Sequence, residues 1–301
     1  MKLKSVVSSL RLRTLPLSVA GVAMGLFLAL SEYKIHWETA LFIIITTISL
    51  QILSNLSNEL GDALSGTDTA DRQGPQYGIG SGGLSIKGIK KLIYLFVLIS
   101  IISGLVMIYS SFGTFLSIES ILLILLGGAA IIGAMRYTLG RNPYGYRGLG
   151  DIYVFIFFGI VSVLGSYFIA AHQIPTVFLI FPAISIGCFS VAVLNVNNIR
   201  DMKTDAVSRV TVALRLGLKG ARIYQTILIV IGWVAMIVFC LLRFFDPYHY
   251  LFIITIPLFI KHLIGVWTKT DKDIDPMLPL LVISTFMFAI LVGLGFIAFL
   301  L

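Results

Sequence analysis

Charged residues are scarce in this 301-residue chain: they make up 12% of the sequence, whereas 58% of the residues are hydrophobic. An average soluble domain has about 25% charged residues, so a water-soluble globule of this composition would lack the polar side chains needed to cover its surface. The same composition excludes an intrinsically disordered chain and a basic protein that binds nucleic acid. We therefore predict an integral membrane protein.

Cysteine and histidine are also rare. The two cysteines, Cys188 and Cys240, both lie in apolar runs, and two such thiols do not make a disulfide framework. The four histidines are far apart in the sequence, and no spacing among them is that of a zinc site. A disulfide scaffold and a zinc protein are therefore excluded.

Long apolar runs dominate the chain. A helix needs about 20 mostly apolar residues to cross a bilayer, and nine runs meet this requirement. The predicted spans are 14–31, 39–58, 91–111, 119–138, 151–171, 176–197, 221–243, 248–267 and 277–301. The first run is longer than a signal-peptide core, so we expect it to be retained. The runs predict an all-α integral membrane protein with one transmembrane domain over residues 1–301.

The distribution of positive charge predicts the orientation. With the N-terminus in the cytoplasm, all Lys and Arg residues except Lys34 and Arg243 fall in cytoplasmic segments, as the positive-inside rule requires. An odd number of spans then leaves the C-terminus outside. We expect a multi-pass protein of the inner (plasma) membrane whose chemistry lies on the cytoplasmic side, where ten of the fourteen Asp and Glu residues fall.

Two cytoplasmic segments share the pattern Asn-x-x-x-Asp, and each follows an outside-to-inside span. The residues that define them are Asn58, Asp62 and Asp68 in the first motif and Asn197, Asp201 and Asp205 in the second. The spacing of four predicts that the Asn and first Asp of each motif share a helix face, and that all three residues of the second motif form one stripe. The duplication suggests a weak parallel repeat that turns two acidic helix ends toward a central cavity.

Carboxylates at this spacing suit magnesium chemistry. Mg²⁺ prefers oxygen ligands and typically binds through a few carboxylates together with substrate phosphates. Arg72, Arg200 and Lys203 lie close by in the sequence, and such cations would help to hold a diphosphate and stabilise it as a leaving group. One such motif is explained by a solvated helix end, but two matched copies at membrane exits on one side favour a site. We predict that Asp62 and Asp201, together with Asp151, are catalytic.

Other polar segments give weaker signals. The glycine-rich run 74–83 would let backbone N–H groups approach an anion. The segment 136–151 is either a positively charged cytoplasmic turn or the wall of a pocket for an anionic aromatic substrate, and Asp151 could also be a helix-start acid favoured by the macrodipole. We interpret Lys261 and His262 as snorkelling side chains. A solvated turn is the interpretation for the acids Asp271, Asp273 and Asp275.

At these residues the sequence resembles the UbiA superfamily of intramembrane prenyltransferases over essentially the whole chain. It is most similar to the branch that acts on 1,4-dihydroxy-2-naphthoate in menaquinone synthesis. The matching segments are Arg11-Leu-Arg13-Thr14-Leu-Pro16, Asn58–Asp68, Asn197–Asp205 with Thr211 and Arg215-Leu-Gly217 beyond it, and Pro143-Tyr-Gly-Tyr-Arg-Gly-Leu-Gly-Asp151. Departures from the branch include Glu59, where Asp is usual, and Val207-Ser-Arg209, which replaces a turn containing Gly and Lys.

The resemblance implies nine helices around a central, lipid-accessible cavity, and Mg²⁺ as cofactor. Departure of diphosphate from a polyprenyl diphosphate gives an allylic cation, which the naphthoate ring attacks, and loss of CO₂ gives demethylmenaquinone. The implied metal ligands are Asn58, Asp62, Asp68, Asn197, Asp201 and Asp205. The implied diphosphate contacts are Arg72, Arg136, Arg200 and Lys203. The implied naphthoate contacts are Tyr137, Arg147 and Asp151.

Alternatives stay open from the sequence alone. Another aromatic prenyltransferase of the superfamily, such as a 4-hydroxybenzoate, haem or chlorophyll enzyme, would differ in its acceptor. A secondary transporter can also have parallel repeats and intramembrane acids, but its site tends to lie at the membrane midplane. A non-catalytic membrane scaffold gives no reason for two matched acidic motifs.

Overall fold

Helices account for the architecture. The computed structural model describes residues 2–65, 74–141, 143–206, 209–243 and 246–298. In these ranges the chain has no strand, only an isolated bridge between Arg147 and Val210. The predicted all-α class is confirmed.

Nine helical stretches within the described ranges are long and apolar enough to cross a membrane, as predicted. The α-helices are α1 (Leu3–Leu10), α2 (Leu15–Leu30), α3 (Trp37–Ser65), α4 (Ile86–Phe112), α5 (Ile118–Arg136), α6 (Gly150–Val154), α7 (Ser166–Ala171), α8 (Ile180–Arg200), α9 (Met202–Asp205), α10 (Val212–Arg243), α11 (Ile256–Thr268) and α12 (Met277–Ile297). A π-helical stretch, Phe155–Gly165, joins α6 to α7. Short 3₁₀ segments are Leu12–Thr14, Tyr144–Tyr146, Val177–Leu179, Pro247–Thr255 and Asp271–Ile274.

Several helices extend past the predicted spans. The helix α3 continues to Ser65, although its apolar run ends near residue 58. The helix α10 begins at Val212 rather than 221 and is broken at Gly217, whose φ of +66° is a conformation that glycine adopts without a Cβ penalty. Hydropathy does not predict these polar extensions, because they carry the chain out of the apolar region.

The chain divides into two compact units. The first unit contains the residues up to Leu15, Trp37–Gly150 and Lys203–Thr211, and the second contains Pro16–His36, Asp151–Met202 and the residues from Val212 onward. A single transmembrane domain over residues 1–301 stays a prediction.

The first unit packs around an apolar cluster on α3, on α4 and on the loop that joins them. Its buried members are Ile52, Leu53, Leu56, Leu60, Leu84, Ile89 and Ile93. Val6 and Leu10 of α1 pack against this cluster. The N-terminal helix is therefore part of the first unit and lies over the polar end of α3.

The glycine-rich loop packs against α1. A Cβ on Gly78 would lie 2.4 Å from the Ser9 hydroxyl oxygen, and a Cβ on Gly83 would lie 2.8 Å from the Ser5 Cβ. The interpretation of this run as an anion cradle is wrong at these two glycines, because serine side chains fill the space in front of them. The loop is also held by Glu59, whose carboxylate accepts the Ile79 N–H at 2.7 Å.

A buried polar chain crosses the second unit. The Asn195 amide donates to Gln225 Oε1 at 2.8 Å, and Gln225 Nε2 lies 2.9 Å from His262 Nε2. The other ring nitrogen of His262 lies 2.9 Å from the Met277 carbonyl oxygen, so α8, α10, α11 and α12 are linked. The interpretation of His262 as a snorkelling residue is wrong, because its side chain is fully buried among these partners.

Substitution at the contact between α1 and the loop provides a test of the packing. We expect Gly83→Ala to release α1, because the new methyl group meets the Ser5 Cβ and overpacking costs about 1–3 kcal/mol. Hydrogen–deuterium exchange of the Leu3–Leu10 amides should become faster. The control is Gly127→Ala in α5, where a Cβ meets nothing within 4 Å, and exchange of Leu3–Leu10 should not change. Equal exchange in both variants would contradict the tight contact.

Candidate active site

The first acidic motif lies on the last turns of α3. Because α3 stays helical to Ser65, Asn58 and Asp62 share a helix face, as predicted. Asp62 is buried, whereas Asn58 is half-buried and accepts a hydrogen bond from the Thr138 hydroxyl at 3.2 Å. Outside the described residues lie Asp68, Asp71 and Arg72.

Arg209 joins the first motif to the last acid of the second. Its Nη2 lies 3.3 Å from Asp62 Oδ1, and its Nε lies 3.0 Å from Asp205 Oδ1. Burial by itself lowers the pKa of the Arg209 guanidinium, but the Asp62 and Asp205 carboxylates outweigh burial and hold that pKa above its ordinary value. The buried carboxylates of Asp62 and Asp205 therefore share one permanently charged guanidinium as their counter-ion.

Tyr146 completes this cluster. Its hydroxyl donates to Asp62 Oδ1 at 2.8 Å, and the Arg209 guanidinium carbon lies 5.0 Å from the centre of its ring. Burial, and next the Asp62 carboxylate, raise the pKa of Tyr146 to about 12, so the hydroxyl is a donor at neutral pH. The Val210 N–H donates to the Tyr146 carbonyl at 3.0 Å and fixes this loop beside Arg209.

The other predicted substrate residues of the first unit are more exposed than Asp62 and Asp205. Arg136 ends α5 and is exposed, and Arg147 and Lys203 are exposed as well. Tyr137 is half-buried, packs edge-on against Tyr144 with ring centres 5.3 Å apart, and acts electrostatically on the Arg209 charge. Two members of the segment 136–151 thus contact the first motif: Thr138 through Asn58 and Tyr146 through Asp62.

The predicted stripe of the second motif is wrong. The helix α8 ends at Arg200, Asp201 has non-helical backbone angles (φ −95°, ψ 9°), and the separate short helix α9 follows. Asp205 consequently belongs to the first unit, whereas Asn197 and Asp201 belong to the second. A spacing of four describes one helix face only while the helix continues.

Arg200 is the centre of the second motif. Its Nε and Nη2 contact the two carboxylate oxygens of Asp201 at 2.9 and 2.6 Å, and Nη2 also donates to Asn197 Oδ1 at 2.8 Å. The remaining nitrogen, Nη1, forms an ion pair with Asp275. The Arg200 side chain is 2% exposed, so every nitrogen of its guanidinium is already used inside the protein.

Sequence reasoning missed Arg209 and Asp275. The interpretation of Asp275 as part of a solvated turn is wrong, because the 3₁₀ turn Asp271–Ile274 brings Asp275 against the buried Arg200. In the sequence, Arg209 stands out only as part of a departure from the family pattern. A usable signal did exist, because a buried carboxylate needs a counter-ion, and Arg209 stands four residues after Asp205.

Asp151 lies in the first turn of α6, as predicted for a helix-start acid. It is buried and accepts a hydrogen bond from the Tyr224 hydroxyl at 3.0 Å. Both residues belong to the second unit, whereas Tyr137 and Arg147, its predicted partners for the naphthoate, belong to the first. The contact to Tyr224 fixes the carboxylate of Asp151 within its own unit.

The residues of the first cluster fit a magnesium ion. Asp62 and Asp205 provide carboxylate oxygens beside one guanidinium, and Asn58 provides an amide oxygen one turn earlier on α3. In the described part of the chain, no group of three or more His, Cys, Asp and Glu side chains converges on one point. Mg²⁺ nevertheless needs only one or two protein carboxylates, since it keeps several waters and binds substrate phosphates.

Comparison with known proteins assigns the chain to a family. Residues 18–289 match the UbiA prenyltransferase family. The 1,4-dihydroxy-2-naphthoate octaprenyltransferase of Escherichia coli (strain K12) is 39% identical over 277 residues, which cover 90% of this chain and 88% of that protein. The Haemophilus influenzae protein of the same name is 36% identical over 301 residues, with 98% and 96% covered.

A solved structure shows the same fold. The UbiA homolog from Archaeoglobus fulgidus bound to GPP and Mg²⁺ has a TM-score of 0.65 to this chain at 14% identity, and the match covers 98% of this chain and 99% of that one. At 14% sequence identity, the structural similarity shows the fold alone. The family match and the two bacterial relatives show the enzyme class. The chain therefore belongs to the UbiA prenyltransferase family and is a multi-pass membrane prenyltransferase.

Proposed function

We propose that this prenyltransferase uses Mg²⁺ to transfer the polyprenyl group of a polyprenyl diphosphate to 1,4-dihydroxy-2-naphthoate in the inner (plasma) membrane. The observation that carries the proposal is the pair of buried carboxylates, Asp62 and Asp205, bridged by Arg209. This arrangement offers oxygen ligands and a cation at one place. The name shared by the two bacterial relatives supports the choice of acceptor.

In this proposal the first motif and Asp205 bind the diphosphate end of the donor. When bound, Mg²⁺ would neutralise part of the diphosphate charge and stabilise it as a leaving group. The first motif and Asp205 supply ligands, and Arg209 turns its planar guanidinium from the carboxylates to the diphosphate oxygens, which it fits in a bidentate way. Tyr146 keeps its hydrogen bond to Asp62 and orients that carboxylate.

The proposed prenyl transfer does not need a general base. The bond between the first prenyl carbon and the diphosphate oxygen breaks, and its electron pair leaves with the diphosphate. The ring carbon that bears the carboxylate forms the new carbon–carbon bond. The bond to the carboxylate then breaks, CO₂ leaves, and the electron pair restores the aromatic ring. The product is the reduced form of demethylmenaquinone, and no proton has to be removed from the ring.

For Arg200 the contacts favour a role in positioning. Its guanidinium already binds Asp201, Asn197 and Asp275, and its side chain is almost fully buried. A diphosphate would have to replace these contacts rather than add to them. We therefore propose that Arg200 orients Asn197 and Asp201 as magnesium ligands, and that it does not itself bind the substrate.

The proposed reaction is tested with purified protein in detergent, 1,4-dihydroxy-2-naphthoate and a polyprenyl diphosphate. We expect a prenylated naphthoquinone, detected by mass spectrometry after oxidation, in Mg²⁺ and none in EDTA. The mass should show that the carboxylate has left. Product with 4-hydroxybenzoate but none with the naphthoate would contradict the acceptor, and undiminished product in EDTA would contradict the metal.

The two central acids should be essential. We expect Asp62→Asn and Asp201→Asn each to lower turnover by more than about 100-fold, since even outer partners of metal ligands are typically worth 10–100-fold. Each Asn keeps a carbonyl acceptor, so the variants should stay folded by circular dichroism. The exposed acid Asp273 is the control, and Asp273→Asn should retain full activity. Near-normal turnover of either central variant would remove that residue from the site.

Asp275 should support the second motif through Arg200. Asp275→Asn removes one carboxylate from a buried guanidinium, and a hydrogen bond to a charged group is worth on the order of 1.5–3 kcal/mol. We expect a lower thermal unfolding temperature and lower activity, whereas Asp273→Asn, two residues earlier and exposed, should change neither. Identical melting of the two variants would show that Asp275 belongs to a solvated turn after all.

A further inference from the structure

The helical structure is interrupted between α1 and α2. Arg11 stands at this break in the left-handed region, with φ 51° and ψ 53°. The Asn55 amide donates to the Leu10 carbonyl at 2.9 Å and to the Thr14 hydroxyl at 3.2 Å, and that hydroxyl donates to the Arg11 carbonyl at 2.9 Å. A strained backbone persists only where its surroundings fix it, often at ligand sites.

Two arginines converge on one buried tyrosine beside this break. The Arg11 guanidinium carbon lies 4.0 Å from the centre of the Tyr77 ring, and Arg13 Nη2 donates to the Tyr77 hydroxyl at 3.2 Å. Tyr77 is only 7% exposed. We call these three residues the Tyr77 cluster. It concentrates positive charge and an aromatic surface at the N-terminal side of the first unit.

Part of the hydrogen-bonding capacity of Arg11 is unused in the part of the chain that the structure describes. Its Nε and Nη2 are closed off from solvent and have no hydrogen-bond partner among the residues that the structure describes. The ring of Tyr77 attracts the charge but does not accept these two N–H groups in hydrogen bonds. An arginine cannot lose its proton in a protein, so the buried donors are costly until an acceptor reaches them. An oxyanion would satisfy both.

The Tyr77 cluster is tied to the helix that carries the first acidic motif. Asn55 holds the Arg11 break, and Glu59, one turn later on α3, holds the loop that contains Tyr77 through its contact with Ile79. With a rise of 1.5 Å per residue, Asp62 lies about 10 Å beyond Asn55 along the helix axis. A small aromatic acid bound at Arg11 would thus extend alongside the end of α3.

We infer that the Tyr77 cluster binds the carboxylate of the aromatic acceptor, an inference that rests on the proposed function for the identity of that acceptor. A guanidinium matches a carboxylate with two parallel N–H···O bonds, and Tyr77 supplies an aromatic neighbour for the ring. The other oxyanion of the reaction is the diphosphate, and in the proposed function Arg209 binds it. This assignment adds Arg11 and Arg13 to the acceptor site.

The test compares Arg11→Gln with Lys4→Gln, which removes one charge from an exposed position on the same N-terminal segment. In Arg11→Gln we expect the KM for 1,4-dihydroxy-2-naphthoate to rise by about tenfold or more, because a charge-assisted hydrogen-bonded pair is lost. The KM for the polyprenyl diphosphate should not change, which also shows that the variant is folded. Arg11→Lys should give an intermediate rise, and Lys4→Gln none.

A binding measurement separates this inference from the proposed function. Isothermal titration with 1,4-dihydroxy-2-naphthoate alone should show weaker binding to Arg11→Gln than to the wild type. The analogue 1,4-dihydroxynaphthalene, which lacks the carboxylate, should bind both equally. Equal naphthoate binding by both proteins, or a raised KM for the diphosphate substrate only, would overturn the inference. A wild type that binds the naphthoate through Arg11 but forms no product would contradict the reaction and leave the carboxylate site standing.

Discussion

Two buried guanidinium groups hold the acidic residues of this protein in place. Removing a carboxylate from water costs several kcal/mol unless an opposite charge and hydrogen bonds replace the water. Arg209 does this for Asp62 and Asp205, and Arg200 does it for Asp201 and Asp275. Without these cations the acids at the membrane exits would repel one another, and they would turn toward solvent or take up protons.

Arg200 and Arg209 differ in how tightly their guanidinium groups are bound by other side chains and in how deeply they are buried. All three nitrogens of Arg200 have acidic or amide partners, and its side chain is 2% exposed. Arg209 is 16% exposed and holds Asp62 at 3.3 Å, which is long for a charged hydrogen bond. A loosely held guanidinium can exchange its partners at little cost. This difference is the physical reason for assigning a fixed supporting role to Arg200 and a substrate-binding role to Arg209.

Local patterns predicted the local features of this protein. The nine apolar runs give the nine candidate spans, and the spacing of Asn58 and Asp62 gives a shared face because α3 continues through both. The same spacing misplaced Asp205, because α8 ends at Arg200 and no sequence signal marks that end strongly. The pairings that organise the site are long-range: Arg209 and Asp62 are 147 residues apart, and Arg200 and Asp275 are 75 apart. Without the fold, neither pair can be chosen from the many cations and acids available.

The Arg209 bridge also bears on how the protein is made. Some metal sites are assembled only when the ion arrives, and their proteins are unfolded without it. Here the carboxylates already have an internal counter-ion, so the chain can be inserted, folded and kept in the membrane before any divalent ion reaches it. At the proposed site, an entering ion would have to displace Arg209 from the carboxylates, which would lower the affinity of the ion for the substrate-free protein. An anionic substrate that bound together with the ion would accept the displaced guanidinium and offset this loss of affinity. Occupancy of the proposed site would then depend on the supply of the substrate.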